Sequence, residues 1–414
     1  MKYTVAVSCA FVFLFMSTNL ALPDELSDLK KQLEVLQQKV DELQKKQEAQ
    51  AKSVEKIEKK PSAYEIVTEQ LSKQVNIGGH LKFYLADQSN GEVNGRDQHN
   101  SFSAGVSDLW LYFSKNLTDW MQITVAPQIQ IEAAATPSLG SDITRSGSAD
   151  VNLYLDEAYM TLRLPWQVDM RVGAIYPLFS EEYGTKVWWH EQYHGNQGLL
   201  TLESWKSTGI ELYRNFDFES FSLPIYLYPF LNGESRGVNQ DSRYVDNNSA
   251  KNFMFHTTPE FYAFGSRVRL LGSAGYGRWD DDGKKDAYQW AAGTEIAYSS
   301  FNLRGEYMYR WREDLPLIGG GTEDGEDKGW YIQGMYTLNP QWRFLIKYSD
   351  VDLWSPGIDR LLTDNYKTWC AAVNFWISEG STIIPQIEWV DAKQQGGFEK
   401  LKYWRYTLGW RTTF

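Results

Sequence analysis

Cysteine is scarce in this 414-residue sequence, which contains only Cys9 and Cys370. Cys9 falls within an N-terminal apolar run that we expect to be removed after export, so the mature chain would keep one cysteine and form no internal disulfide. Small secreted domains that depend on disulfides are therefore excluded. Beyond the N-terminal run no stretch of about 18 apolar residues occurs, so the sequence predicts no transmembrane helix.

Motifs for covalent catalysis and for cofactors are also missing. The sequence contains no nucleophile elbow, no glycine-rich phosphate loop and no Cys-x-x-Cys-His haem attachment site. A net charge of -12 argues against nucleic acid as a partner. The sequence therefore predicts a protein that has no cofactor and no enzymatic activity.

Aromatic residues, in contrast, are abundant. They make up 15% of the chain, with 17 Trp and 25 Tyr, which is more than a soluble domain of this size needs. Aromatic girdles at the two interfaces of a membrane-embedded β-barrel would use this excess.

The C-terminal segment 401–414 shows an uninterrupted alternation of side-chain character. Apolar side chains stand at Trp404, Tyr406, Leu408, Trp410 and Phe414, and polar or small residues stand at Tyr403, Arg405, Thr407, Gly409, Arg411 and Thr413. A strand with one apolar and one polar face suits a position between lipid and water. A closed barrel provides that position without leaving an unpaired edge.

The same period of two recurs along the chain from Asn76 onward and predicts sixteen strands, an even number as a bacterial barrel requires. The predicted strands lie near residues 77–87, 103–113, 121–131, 151–163, 167–176, 207–214, 218–230, 251–262, 266–279, 287–299, 301–312, 328–338, 342–353, 366–377, 381–392 and 401–414. Short turns alternate with longer connections, which predicts periplasmic turns and external loops. Pro224 and Pro229 predict a bulge or an interruption in the seventh strand.

The N-terminal region has a different chemistry. Lys2, an apolar run and small residues near Ala21 predict a signal peptide over residues 1–21. Residues 22–60 show apolar heptads that predict a coiled-coil helix, which needs identical neighbours and would suit a homotrimer. The alternative is a single amphipathic helix on another periplasmic surface. Residues 61–75 would form a linker to a barrel over residues 76–414.

In its alternation, loop lengths and terminal Phe414 the chain resembles the outer-membrane β-barrel proteins of Gram-negative bacteria. It is similar to sixteen-stranded porins with an N-terminal coiled coil, the group that includes phosphate-selective and siderophore-type porins, with a local match at residues 155–160 and 171–173. The resemblance implies an all-β transmembrane, up-and-down antiparallel barrel in the outer membrane. Its partners would be the lipid bilayer, lipopolysaccharide and small solutes, and the coiled coil would lie in the periplasm.

The alternation also predicts which charged residues line the pore. The predicted pore-lining residues are Arg267, Arg269, Arg304, Glu306, Arg310, Arg312, Arg343, Lys347 and Arg405. Other inward carboxylates are expected at Glu132, Glu157, Asp169, Glu211, Glu295 and Glu388. Such a wall would give mild anion preference if its arginines are free, or little preference if they pair with the carboxylates.

The longest loop, residues 177–206, is rich in aromatic residues and is predicted to fold into the lumen as a constriction. Glu181 and Glu182 would face the basic wall, and Trp188 and Trp189 indicate that the loop packs against another surface. The alternative is that this loop latches over a neighbouring subunit.

The same loop contains His190-Glu191-Gln192-Tyr193-His194, which matches the H-E-x-x-H pattern of zinc peptidases. No third ligand or peptidase domain accompanies it, so peptidase activity is not predicted. His190 and His194 are weak candidates for a metal site, and ordinary loop residues are the favoured interpretation.

Two acidic runs, 280–282 and 323–327, are predicted to be solvated loop tips, with cation bridges to lipopolysaccharide as the alternative. The sequence as a whole predicts a porin for passive diffusion of small hydrophilic solutes or ions. A substrate-specific uptake channel for phosphate or a siderophore, and a structural or adhesive barrel, are the alternatives.

Overall fold

The structure is a computed structural model that describes residues 75–93, 96–98, 101–132, 150–181, 191–192, 207–232, 249–280, 282–356, 361–394 and 399–414, together with Gln38, Lys39 and Lys45. The chain divides into two compact units, residues 1–73 and 74–414. The three described residues of the first unit are helical and exposed, and none occupies a predicted seam position of the coiled coil. The predicted signal peptide, the coiled-coil seam and nearly all of the linker lie outside the described residues.

The second unit is a single antiparallel sheet that closes on itself. Its sixteen barrel strands are β1 Asn76–Val93, β2 Ser101–Thr118, β3 Met121–Glu132, β4 Asp150–Leu164, β5 Val168–Ile175, β6 Ser207–Phe218, β7 Phe221–Leu231, β8 (Asn252–Thr257 and Glu260–Ala263), β9 Ser266–Arg278, β10 Asp286–Tyr298, β11 Phe301–Pro316, β12 Thr322–Asn339, β13 Trp342–Pro356, β14 Leu361–Ser378, β15 Ser381–Gln394 and β16 Glu399–Thr413. A short strand, Arg96–Gln98, extends the connection after β1. Closure comes from pairing of β1 with β16.

Side chains alternate between the two faces of this wall. On β11, Leu303 and Tyr307 are exposed on the outer face, whereas Arg304, Glu306 and Arg310 are buried on the inner face. The same holds for β16, where Trp404 and Trp410 point outward. Polar groups inside and apolar groups outside are the reverse of a water-soluble protein and match a wall between lipid and a polar centre. The predicted sixteen-stranded antiparallel barrel is confirmed.

Short and long connections alternate around the barrel. At one end the turns contain two or three residues, for example Phe264–Gly265 and Ser299–Ser300, in which Phe264 and Ser299 have positive φ. The connections at the other end are longer and include residues 176–206 and 232–251. Within the described part of the chain, no helix is both long and apolar enough to cross a membrane.

Two irregularities interrupt the regular ladder near the middle of the chain. The register of β7 shifts close to Pro229 against both of its neighbours, in agreement with the predicted bulge. The clean break, however, falls in β8, where Thr258 and Pro259 separate two short segments. The continuous eighth strand predicted over 251–262 is therefore wrong, because Pro259 has no N–H to donate to the ladder.

Barrel closure brings the two ends of the sheet into close backbone contact. The backbone N–H of Gly79 donates to the carbonyl of Phe414 at 3.0 Å, and the N–H of Phe414 donates to the carbonyl of Gly79 at 3.0 Å. A Cβ atom at position 79 would lie 2.4 Å from the carbonyl oxygen of Trp110 and 2.8 Å from the Phe414 ring. Glycine at this position therefore permits the close approach.

Candidate pore lining and constriction

The predicted pore-lining cations all belong to the inward-facing set of their strands. Burial and pairing assign Arg267 and Arg269 of β9, Arg304, Arg310 and Arg312 of β11, Arg343 and Lys347 of β13, and Arg405 of β16 to the inner face. Because side chains alternate strictly along a strand, residues two apart share this face. These eight residues are called the basic wall below.

Most of the basic wall is bound to carboxylates. Arg405 donates from Nε to Glu388 at 2.6 Å. Arg267 Nη2 contacts Glu295 Oε1 at 2.8 Å, and Arg269 Nη2 contacts Glu295 Oε2 at 2.5 Å. These arginines therefore have compensating charges, which offset the cost of burying an ion.

Asp327 joins two arginines of the basic wall, Arg310 and Arg312. Its Oδ2 atom lies 2.9 Å from Arg310 Nη2 and 3.0 Å from Arg312 Nη2, and its Oδ1 atom accepts the backbone N–H of Trp354 at 2.8 Å. The sequence-based placement of Asp327 in a solvated loop tip is wrong. Strand β12 begins at Thr322, and the two arginines stabilise a buried carboxylate on its inner face.

The first described part of the long loop reaches the basic wall through Glu181. Its Oε1 atom lies 2.6 Å from Arg269 Nη2, and its backbone N–H donates to Glu306 Oε2 at 3.3 Å. The same Glu306 atom accepts the hydroxyl of Tyr331 at 3.2 Å. The loop residue is therefore bound to two neighbouring regions of the inner wall.

Glu191 forms the second contact between this loop and the wall. Its Oε2 atom accepts from Arg304 Nη2 at 2.7 Å and from Gln333 Nε2 at 2.6 Å. Asn374 Nδ2 donates to the backbone carbonyl of Glu191 at 2.9 Å. The following residue, Gln192, donates to Gln333 Oε1 at 3.2 Å.

These contacts bear on the H-E-x-x-H motif. Its glutamate, Glu191, is buried in an ion pair with Arg304 rather than directed at a metal-bound water. Both histidines, His190 and His194, lie outside the described residues, as do Glu182, Trp188 and Trp189. Across the described ranges no cluster of His, Cys, Asp and Glu has the arrangement of a metal site.

The loop leaves the wall beside strand β7. The backbone N–H of Leu178 donates to the hydroxyl of Tyr228 at 3.0 Å, and the hydroxyl of Tyr176 bonds to Asp156. Phe179 is buried in a hydrophobic cluster that also contains Tyr228. Asp156 was not predicted because a bulge at Ala126 and Pro127 turns it inward, out of the alternation.

Glu181 lies in the loop rather than in a strand, and its environment shifts its acidity. Burial raises the pKa of its carboxyl above the ordinary value, although Arg269 and Arg304 act in the opposite direction. The charge of Glu181 is therefore lost at a higher pH than that of an exposed glutamate.

The opposite wall, on strands β4 to β8, carries tyrosines instead of an arginine ladder. Arg171 Nη1 pairs with Glu211 Oε1 at 3.1 Å and lies over the Tyr159 ring at 5.2 Å. The rings of Tyr213 and Tyr226 are neighbours, with centroids 4.5 Å apart. Sequence reasoning identified Glu157, Asp169 and Glu211 on this wall as inward carboxylates but not the tyrosines.

Comparison with protein families matches this architecture. The profile of the Gram-negative porin family matches residues 49–394, which is most of the chain. The chain belongs to the Gram-negative porin family. No curated protein sequence matches it closely enough to count as a relative.

Solved porin structures share the fold at low sequence identity. OprB of Pseudomonas putida superposes with a TM-score of 0.55 at 9% identity, covering 84% of this chain and 96% of OprB. OmpF of Salmonella typhi, solved with daunomycin, gives a TM-score of 0.51 at 10% identity, covering 82% and 97%. The anion-selective porin of Comamonas acidovorans gives 0.50 at 12% identity, covering 82% and 99%.

Family membership and the closed barrel together give the general function. This porin is a channel protein of the outer membrane, and its inner wall is the polar surface that a solute would meet.

Proposed function

We propose that this porin conducts small hydrophilic solutes and ions by passive diffusion, without a chemical step, through a pore narrowed by the loop after β5. The observation that carries the proposal is the pair of loop contacts, Glu181 with Arg269 and Glu191 with Arg304. Both contacts join the loop to the inner face of the barrel. A loop bound there reduces the cross-section while the lumen stays polar.

The absence of a chemical step is supported by the state of the loop glutamate. A general base needs an available carboxylate within reach of its proton donor. The Glu191 carboxylate instead accepts from Arg304 and Gln333, and the neighbouring Gln192 also binds Gln333. We assign Glu191 an anchoring role.

We propose weak ion selectivity with a mild preference for anions. Most wall arginines share carboxylates, which reduces their field in the lumen. Arg310 and Arg312, for example, both pair with Asp327. Arg343 lies over the Trp376 ring at 5.1 Å and forms no ion pair with a carboxylate among the described residues. The anion-selective porin of Comamonas acidovorans, which shares the fold, is consistent with this sign.

A homotrimer is proposed from the outer face of the barrel. On β10 to β16 this face carries a chain of neighbouring rings, including Trp290 with Tyr307 at 5.3 Å, Tyr348 with Trp369 at 4.6 Å and Trp389 with Trp404 at 5.1 Å. On β3 to β7 most described outward residues between the strand ends are apolar and not aromatic; Arg214 of β6, which lies over the Phe216 ring at 4.3 Å, is an exception. The apolar residues include Ile123, Val125, Ile129, Met160, Met170, Val172, Ile210, Leu212, Leu223, Ile225 and Leu227.

The difference supports a subunit interface on β3 to β7. A barrel wall that faces lipid carries an apolar band flanked by aromatic residues, whereas a wall covered by a neighbouring subunit can be packed with side chains other than these rings. The predicted periplasmic coiled coil of residues 22–60 would add a second contact between the same subunits. Lipid and lipopolysaccharide would then contact the ring-bearing face.

Single-channel recording of the refolded protein in planar bilayers tests the proposed function. We expect an ohmic conductance with weak selectivity and a larger conductance when the loop contacts are removed by Arg269→Ala with Arg304→Ala. A wild-type protein that carries no current would refute the channel. A conductance unchanged by the double variant would refute the constriction.

A further inference from the structure

The wall opposite the basic wall presents a row of rings in direct register. Tyr213 of β6 is paired with Tyr226 of β7, and Tyr226 is paired with His256 of β8. The ring centroids are 4.5 Å apart for the two tyrosines and 5.5 Å apart for Tyr226 and His256. Cross-strand rings in this arrangement form a continuous aromatic surface.

Part of that surface is accessible from the lumen. Tyr159, Tyr213 and Tyr226 are only partly buried. Tyrosines of the inner face on the other wall are covered, with Tyr331 at 1% and Tyr403 at 4% exposure. A solute in the lumen therefore meets tyrosine rings on strands β4 to β7.

Hydrogen-bonding groups flank these rings. Arg171 pairs with Glu211, and the Arg171 side chain is 43% exposed while that of Glu211 is 2% exposed. His256 Nδ1 lies 2.7 Å from Ser273 Oγ, and His256 Nε2 is buried without a hydrogen-bond partner within the described residues. A buried polar atom of this kind is a place where a water or a ligand hydroxyl is needed.

The chemistry of these rings and their polar neighbours favours one class of ligand. Ring faces suit a solute with C–H groups on its own faces, and the Arg171–Glu211 pair offers donors and acceptors but little net charge. The pair itself offers little net charge to an ion, and an apolar solute leaves the polar groups unsatisfied. A neutral ring that carries hydroxyl groups around its edge satisfies both kinds of contact.

We propose that the tyrosine patch, Tyr159, Arg171, Glu211, Tyr213, Tyr226 and His256, is a weak binding site for neutral sugars. The site rests on the proposed function as a channel and adds a preferred class of solute to it. The patch adjoins the constriction, because Tyr228, two residues along β7 from Tyr226, accepts the loop N–H of Leu178. A sugar in the narrowed pore therefore passes the rings.

The experiment compares maltose with a polyethylene glycol of the same hydrodynamic size. In planar bilayers we expect maltose to reduce the ion current of the full-length protein in a saturable way, and the polymer to reduce it without saturation. The variant Tyr213→Leu with Tyr226→Leu should raise the half-blocking maltose concentration about tenfold, the loss expected for removed aromatic contacts. Tyr366→Leu makes the same chemical change at a buried position of the other wall and should leave it unchanged.

Calorimetric titration of detergent-solubilised protein with maltose separates the site from the channel. Maltose binding that is lost in the double leucine variant supports the site even if the bilayer shows no current, a result that would refute only the channel. Equal, non-saturating responses to maltose and polymer would overturn the site, as would saturable block that the double variant leaves unchanged. Tyr226→Phe keeps the ring and removes only the hydroxyl. It is the conservative variant, expected to fold, with which the double leucine variant is compared.

Discussion

The two sides of the barrel differ on both faces. Strands β9 to β16 carry paired arginines inside and a chain of rings outside, whereas β3 to β7 carry partly exposed tyrosines inside and mostly non-aromatic apolar side chains outside. One alternating pattern thus produces two chemically distinct walls. The period of two determines which residues share a face. The side chains that the neighbouring strands place beside them determine the chemistry of that face.

The loop after β5 contacts both sides. It begins beside Tyr228 on the tyrosine side and reaches Arg269 and Arg304 on the arginine side. Its position therefore depends on a neutral hydrogen bond at one end and on buried ion pairs at the other. The two kinds of contact respond differently to substitution.

The largest effect is expected when an aromatic side chain is placed on the outer face that lacks rings. Ile210→Trp places a bulky ring in the proposed subunit interface, and overpacking costs about 1–3 kcal/mol for each copy, which should dissociate the trimer. Ile332→Trp adds the same ring to the ring-bearing face and should leave assembly unchanged. Light scattering after size-exclusion chromatography in detergent measures the mass. If both variants had the same mass in detergent, the proposed subunit interface on β3 to β7 would be contradicted.

Loss of a single loop anchor should have the next largest effect. Arg304→Ala leaves the buried Glu191 without its cation, and breaking such a pair costs about 3–5 kcal/mol, which release of the loop would relieve. We expect a larger single-channel conductance together with a lower thermal stability. Arg405→Ala breaks the pair with Glu388, and Arg405 contacts none of the described loop residues, so this variant should lower stability without a comparable rise in conductance. A conductance that rises equally in both variants would contradict the anchor.

Selectivity should respond moderately to the cation of β13. Arg343→Gln removes a charge that lies over the Trp376 ring and forms no described ion pair, and one unit charge in a solvated pore changes ion preference by about two- to fivefold. The reversal potential in a potassium chloride gradient should shift toward cations. Lys402→Gln removes a positive charge from the outer face of β16 and serves as the control. An unchanged reversal potential in Arg343→Gln would show that this wall does not set the preference.

Acidification should give the smallest effect. Because the pKa of Glu181 is raised by burial, its negative charge disappears as the pH falls toward that pKa, while Arg269 stays charged. The constriction then becomes more positive, and anion preference should increase on acidification from pH 7. Glu181→Gln should reduce this change, measured as the reversal potential at each pH. A pH response that persists in full in the glutamine variant would assign it to another group.

The sequence was sufficient to predict the barrel because each strand obeys one simple rule. Alternation identified the inner positions of Arg304, Arg310 and Arg405, and turn lengths identified the two ends of the barrel. The signal was strong since lipid on one side and water on the other force polarity to alternate along every strand.

The details that failed depend on contacts between distant residues. Asp327 reads as part of an acidic tip, yet Arg310 and Arg312 make it an inner-wall residue. Gln333 and Asn374, which bind Glu191, carry no sequence signal because their partner is more than a hundred residues away. Register shifts at Pro127 and Pro229 displace side chains by one position, and local periodicity does not report them.

Burial of the loop anchors has a consequence for the surroundings in which the porin works. Mobile ions screen exposed pairs such as Lys402 with Asp391, but they reach the buried pair of Arg304 and Glu191 far less. The width of the passage should therefore stay constant between dilute and saline water. Only the charge preference at its mouths would follow the salinity outside the cell.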